Sequence, residues 1–106
     1  MSNYKKFHSL VIDSKEAAID LFEFVDIKKN INKLKNNSKE IDKLVKGLNR
    51  YALVYSFAFL IPELEKANES DTYGDVFRDI VFRIVFNLVN IEKEHYYFVD
   101  GNEYDN

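Results

Sequence analysis

Residues that form tight turns are scarce in this chain, which has three glycines and one proline among 106 residues. Domains rich in β-strands use glycine and proline repeatedly, because hairpins and tight turns need backbone angles that these residues favour. Long helices separated by few turns suit this composition better. The sequence therefore predicts an all-α fold, an antiparallel bundle of three long helices with four as the alternative. We expect one helical domain over residues 1–99, followed by a flexible acidic tail over 100–106.

The first predicted helix begins at a capping box, in which Asp13 stands three residues before Glu16. Apolar residues then recur every three or four positions, which predicts a helix over about 14–35 with a bend near Asp26. Residues 3–12 are ambiguous, because they fit either an upstream helical extension or a poorly alternating strand. We expect the helical extension.

Two further helices follow the same periodicity. Ser38 ends a predicted turn and caps a second helix that begins at Lys39 and is kinked or ended near Pro62. The third helix runs over about 75–95, where β-branched residues would also suit a strand. Its apolar run is longer than most strands, so a helix is the better prediction.

Several classes of functional site are excluded by what the sequence lacks. Without cysteine there can be no disulfide, no thiolate zinc site and no cysteine nucleophile. Neither a signal peptide nor a run of about 20 apolar residues occurs, so we expect a cytoplasmic protein that does not enter membranes. Glycine-rich phosphate loops and nucleophile-elbow motifs are also missing. We therefore expect no metal, no cofactor and no enzymatic activity.

Charge is segregated along the chain, although the formal net charge is only −3. Residues 28–50 carry eight basic and two acidic side chains, whereas residues 92–106 carry one basic and five acidic side chains. Helical spacing predicts an acidic face on the first helix, formed by Asp13, Glu16, Asp20 and Glu23. It predicts a basic face on the second helix, formed by Lys39, Lys43, Lys46 and Arg50. Each is either a solvated surface or a contact surface, the acidic one for a basic protein and the basic one for phosphates.

Aromatic residues mark two more candidate contact surfaces. Tyrosines beside acids suit protein recognition, because tyrosine combines a large contact area with a polar tip. The C-terminal stretch carries such a set, formed by Tyr96, Tyr97, Asp100, Glu103, Tyr104 and Asp105. On the third helix, a three-helix bundle would leave Phe82, Phe86 and Val89 exposed, which predicts a homodimer through this face. The alternative is a monomer in which residues 3–12 cover the face.

In size, helicity and acidity the chain resembles bacteriocin or toxin immunity proteins and small phage-encoded inhibitors, without a shared motif. The resemblance implies a bacterial or phage protein that binds a partner protein and inhibits or neutralises it. The acidic face and the C-terminal tyrosines would then contact that partner. The alternative is a small nucleic-acid-binding or regulatory protein that uses the basic face of residues 28–50. Nucleic acid is the less expected partner, because specific DNA-binding domains usually carry an overall basic charge.

Overall fold

Four helices make up the described part of the chain, namely α1 (Asn3–Phe22), α2 (Ile27–Val45), α3 (Ala52–Ser70) and α4 (Asp75–Lys93). The computed structural model describes residues 3–45, 52–70 and 73–93. These residues contain no strand, so the all-α prediction is confirmed. The prediction of three helices is wrong, and the alternative of four is the one observed. None of the four helices combines the length and apolar character that a bilayer-spanning segment requires.

The helices form a closed ring. α1 packs against α2 and α4, and α3 packs against the same two helices, so α2 and α4 lie across a diagonal. The contacts between α1 and α4 show that these helices run in opposite directions. Lys15 pairs with Glu92, whereas Phe22, later in α1, meets Arg78, earlier in α4. The arrangement is an up-and-down four-helix bundle.

The first predicted helix is in fact two, because the chain turns sharply between α1 and α2. The N–H of Val25 donates to the carbonyl of Asp20 at 2.8 Å, and the N–H of Phe24 donates to that of Leu21 at 3.0 Å. This pair of bonds is a Schellman motif, which ends a helix at a residue in the left-handed conformation. Phe24 and Asp26 have positive φ angles of 61° and 43°, where glycine is the usual residue. Because no glycine marks the stop, the sequence pattern indicates a bend rather than an end.

Two predicted capping residues lie inside helices rather than at their starts. Asp13 is within α1, and residues 3–12 belong to that helix, as expected. Ser38 is within α2, so the turn predicted before it is also wrong. Both residue types are common caps because their side chains bond to nearby backbone groups. Here Asp13 accepts a hydrogen bond from Asn37 of α2, and Ser38 Oγ donates to the carbonyl of Lys35 one turn earlier in α2, so no helix end is needed to satisfy them.

Pro62 does not end its helix, since α3 continues to Ser70. A proline removes one backbone hydrogen bond from a helix and crowds the preceding turn. Pro62 is exposed, so the missing bond lies on the outer side of α3. The single helix predicted from Lys39 to Pro62 is replaced by α2 and α3, which pack side by side. α4 begins at Asp75 as predicted, and the last residues of the predicted third helix lie outside the described residues.

A polar seam, formed by Asp13, Ser14 and Asn37, links α1 to α2. Asn37 Nδ2 donates to Asp13 Oδ2 at 2.8 Å and to Ser14 Oγ at 3.1 Å. Ser14 Oγ in turn donates to the carbonyl of Leu10 at 2.7 Å. Lys33 Nζ lies 3.5 Å from Asp13 Oδ1 at the edge of the seam. Asp13 is therefore engaged by two residues of α2 and belongs to the framework of the bundle.

The apolar core lies along the axis of the ring, and each helix turns one apolar stripe towards it. Its largest fully buried side chains are Phe7, Val11, Leu21, Leu34, Ile41, Phe57, Leu64, Phe77, Ile84, Leu88 and Ile91. Ion pairs such as that between Lys35 and Glu65, at 3.3 Å, lie at the margins where neighbouring helices meet. Partly exposed pairs of this kind contribute at most about 1 kcal/mol each, so the core supplies most of the stability.

Candidate protein-interaction surfaces

Large apolar side chains are exposed on the outer face of α4. Phe82 and Phe86 are each 59% exposed, as the sequence pattern predicted. Val89, predicted to lie with them, is half-buried. Each helix of the ring has two neighbours, so nothing in the described residues covers the outer side of α4. Residues 3–12 continue α1 and do not cover these two phenylalanines.

Two shallow grooves flank Phe82. The groove between α1 and α4 has a volume of about 270 Å³ and is lined by Ile19, Phe22, Glu23, Phe82 and Val85. The groove between α3 and α4 has a volume of about 320 Å³ and is lined by Leu60, Phe82, Arg83, Phe86 and Asn87. Small-molecule pockets usually hold about 300–1,000 Å³ and enclose their ligand. One groove lies just below this range and the other at its lower end, and both are shallow, which suits the side chains of a protein partner.

The predicted acidic face is only partly present. Asp13 is held in the polar seam and does not contribute to it. Glu16 and Asp20 are exposed on α1, and Glu23 is exposed just beyond the end of that helix. We call these three residues the acidic surface. Their carboxylates make no ion pair or hydrogen bond with any residue in the described ranges.

The ion pairs distinguish these acids from the ones that hold the bundle together. Glu65 pairs with Lys35 across the boundary between α2 and α3, and Glu92 pairs with Lys15 across the boundary between α1 and α4. Among the residues that the structure describes, the acidic surface has no such partner, so none of the ion pairs between helices involves its charges. Unneutralised charges of one sign leave a field that acts on an approaching molecule.

A cluster of one arginine and several aromatic rings fixes the end of α1 against α4. The guanidinium carbon of Arg78 lies 4.8 Å from the ring centres of both Phe22 and Phe24. Arg78 Nη2 also donates to the carbonyl of Phe22 at 3.3 Å, close to the end of the helix. The ring of Phe24 meets that of Tyr73 edge-on at 5.1 Å. This cluster was not predicted from the sequence, because its members lie far apart in the chain and share no spacing pattern.

The basic face on α2 is broader at its N-terminal end than predicted. Lys39 and Lys43 are exposed, and Lys43 Nζ lies 3.4 Å from Glu40 Oε1. Lys28 and Lys29 are exposed on the same side of α2. Lys28 lies eleven residues before Lys39, which is about three full helical turns. If the sequence had been interpreted as one helix over both residues, this spacing would have placed Lys28 on the same face as Lys39. The predicted members Lys46 and Arg50 lie outside the described residues.

The C-terminal candidates also lie outside the described residues, namely Tyr96, Tyr97, Asp100, Glu103, Tyr104 and Asp105. Within residues 3–45, 52–70 and 73–93, no three histidine, aspartate or glutamate side chains come together as a metal site would need. The chain matches no protein-family model, no curated protein and no solved structure.

Proposed function

We propose that the protein is a non-enzymatic binding protein of the cytoplasm that contacts a basic partner protein and inhibits or neutralises it. The observation that carries the proposal is the acidic surface, whose charges are unpaired within the described residues and lie beside exposed apolar side chains. Ile19 is 46% exposed and Phe22 is 38% exposed, and both line the groove that Glu23 borders. Immunity, antitoxin and phage-inhibitor proteins act in this general way.

The chemistry of the surface suggests what the partner would offer. Protein interfaces commonly have an apolar centre and a polar rim. Here Ile19 and Phe22 would supply apolar contact, while the acidic surface would select a partner with basic residues around an apolar side chain. The charged rim acts mainly on the rate of encounter and on the choice of partner. The C-terminal tyrosines and acids named above are proposed to extend the same contact.

Capture of the partner by the tagged full-length protein, followed by mass spectrometry, provides the ligand for the test. The variant Glu16→Lys with Asp20→Lys should slow association with that partner about tenfold or more at low salt. Dissociation should change much less, because rim charges act on encounter. The difference should shrink as salt is raised, since the screening length falls to about 8 Å at physiological ionic strength. Stopped-flow or surface plasmon resonance measures both rates.

The matched control is Glu63→Lys with Glu69→Lys. Both residues are exposed on α3, across the ring from α1, and the change in net charge is the same. The control should retain most of the association rate at low salt. Equal rates for the two double variants would show that only net charge matters and would remove the acidic surface from the binding site.

Nucleic-acid binding is the second candidate function, favoured by the row of exposed lysines on α2. Of these, Lys43 is paired with Glu40, whereas Lys28 and Lys39 have no ion-pair partner among the described residues. The chain as a whole is acidic, with 18 acidic and 15 basic side chains, and the excess opposes phosphate binding.

We expect no sub-micromolar complex with duplex DNA or RNA in gel shifts at physiological salt. A tight complex that is lost in Lys28→Glu with Lys39→Glu would instead establish the nucleic-acid function. Lys66→Glu, on the exposed side of α3, is the control and should leave such a complex intact.

The last part of the proposal is self-association through the outer face of α4. The ring leaves Phe82 and Phe86 uncovered within the described residues, and a closed symmetric dimer is the commonest way to bury such a face. Val89 would lie at its edge. A homodimer is therefore proposed beside the partner-binding function.

A further inference from the structure

The outer face of α4 has an apolar middle and ends of opposite charge. A rotation of about 100° per residue places Asp75, Phe82, Phe86 and Lys93 within about 40° of one another around the helix. All four are exposed. Asp75 and Lys93 make no ion pair with any residue of the described ranges. Asp79 lies on the same side but is held by Arg83, whose Nη2 is 3.0 Å from its Oδ2.

This face is complementary to itself when a second copy is turned end to end. Positions 82 and 86 are symmetric about residue 84, and positions 75 and 93 are symmetric about the same residue. In an antiparallel pair centred there, Phe82 meets Phe86 of the second copy, and Asp75 meets Lys93 of the second copy at both ends. A parallel pair would set Asp75 against Asp75 and Lys93 against Lys93, and like charges at close range repel.

We infer that two copies of the chain pair through α4 in antiparallel orientation, with phenylalanines in the centre and an Asp75–Lys93 ion pair at each end. The inference rests on the proposed self-association and specifies its geometry. The groove between α3 and α4, beside Phe82 and Phe86, provides a recess into which a phenylalanine ring of the second copy inserts, as ridges enter grooves in packed helices. The helices must cross at a shallow angle of about 20°, as in other bundles, for both ends to meet.

Charge favours a second copy over the other candidate occupants. A basic partner would meet Lys93 at one end of the face, and an acidic partner would meet Asp75 at the other. The chain beyond Lys93 carries four acidic residues in positions 94–106 and no lysine or arginine. That segment can therefore complement only the basic end. An antiparallel second copy complements both ends at once.

This pairing leaves the acidic surface accessible. Lys15 marks the side of α1 that meets α4, since its ammonium pairs with Glu92. Glu16 and Asp20 lie about 100° and 140° around α1 from Lys15. The dimer would thus present one acidic surface on each copy, turned away from the shared face.

Charge reversal at the two ends tests the inference in the full-length protein. Asp75→Lys and Lys93→Asp each place like charges at both ends of the antiparallel pair. For each variant alone, the dissociation constant of the dimer should therefore be at least about tenfold higher than that of the wild type. An equimolar mixture should form a heterodimer, because every end then joins opposite charges. The variant carrying both changes should recover the wild-type dimer. Sedimentation or light scattering at micromolar concentration and low salt measures these masses against the 12.5 kDa monomer.

The controls separate folding from pairing. Lys39→Glu on the opposite side of the ring should leave the dimer unchanged, and circular dichroism should show full helicity in every variant. Phe86→Glu should give a helical monomer. A wild-type mass near 12.5 kDa would overturn the self-association itself. A dimer that tolerates both single reversals, or single variants that do not pair on mixing, would overturn the antiparallel arrangement alone.

Discussion

Truncation of Phe57 to alanine is expected to destabilise the protein by about 3–5 kcal/mol, the usual cost of removing a buried aromatic ring. Phe57 is fully buried in α3. Phe59, two residues later in the same helix, is 75% exposed, so Phe59→Ala should change the free energy of unfolding by no more than about 0.5 kcal/mol. Urea denaturation followed by circular dichroism measures both values. A domain of this size is usually stable by about 5–15 kcal/mol, so the first loss is a large fraction of the total.

The same pair of variants tests the helix itself. Residues two apart lie on the same side of a strand but on well-separated sides of a helix. The two alanine variants can therefore differ strongly in their free energy of unfolding only if this segment is helical and Phe57 faces the core. Comparable losses for the two alanine variants would show that α3 is oriented differently or that the segment is extended.

Phe24→Gly is expected to be more stable than Phe24→Ala by about 1–2 kcal/mol, which is the cost of a left-handed conformation for a residue with a Cβ atom. Both variants lose the ring that contacts Tyr73, Phe77 and Arg78, at a cost of about 1.5–3 kcal/mol relative to the wild type. Only the glycine variant also relieves the backbone at φ 61°. Thermal or urea unfolding of the three proteins gives the order.

The control for this order is Glu63, an exposed residue within α3. In an ordinary helical position, glycine is less stable than alanine by about 1 kcal/mol. At residue 24 the glycine variant should therefore be the more stable of the two, and at residue 63 the alanine variant should be. The same ranking at both sites would show that residue 24 does not end α1 in the left-handed conformation.

The parts of the fold that follow from local periodicity were predictable. α4 begins where its apolar pattern begins, at Asp75, and the helical extension over residues 3–12 is observed. The exposure of Phe82 and Phe86 was also predictable, because their positions oppose the buried stripe of the same helix. In each case the evidence lies within one turn or two of the residue concerned.

The end of α1 was not predictable, because its cause lies far away in sequence. Phe24 adopts an unfavourable backbone conformation, and its ring packs under Arg78 of α4. Asp13 was assigned as a cap wrongly for the same reason, since its carboxylate accepts from Asn37 of α2; Ser38 has the local pattern of a cap, but its hydroxyl donates to the carbonyl of Lys35 inside α2. The helix boundary predicted near Ser38 placed Lys28 and Lys39 on different helices, so Lys28 was not assigned to the same basic face as Lys39. Helix ends and polar contacts here depend on tertiary neighbours, which a single sequence does not reveal.

The polar seam between α1 and α2 bears on how many ways this bundle can assemble. The core of the bundle is made mainly of isoleucine, leucine, valine and phenylalanine, and these side chains pack acceptably in several alignments of the same helices. Asn37 meets Asp13 and Ser14 in only one of them. A slip of one helical turn, about 5.4 Å, would separate the buried side-chain amide of Asn37 from both partners, at a cost of about 1–3 kcal/mol. The seam thus raises the free energy of misaligned bundles. This effect on the choice of alignment is larger than the modest stability that the seam adds to the native bundle.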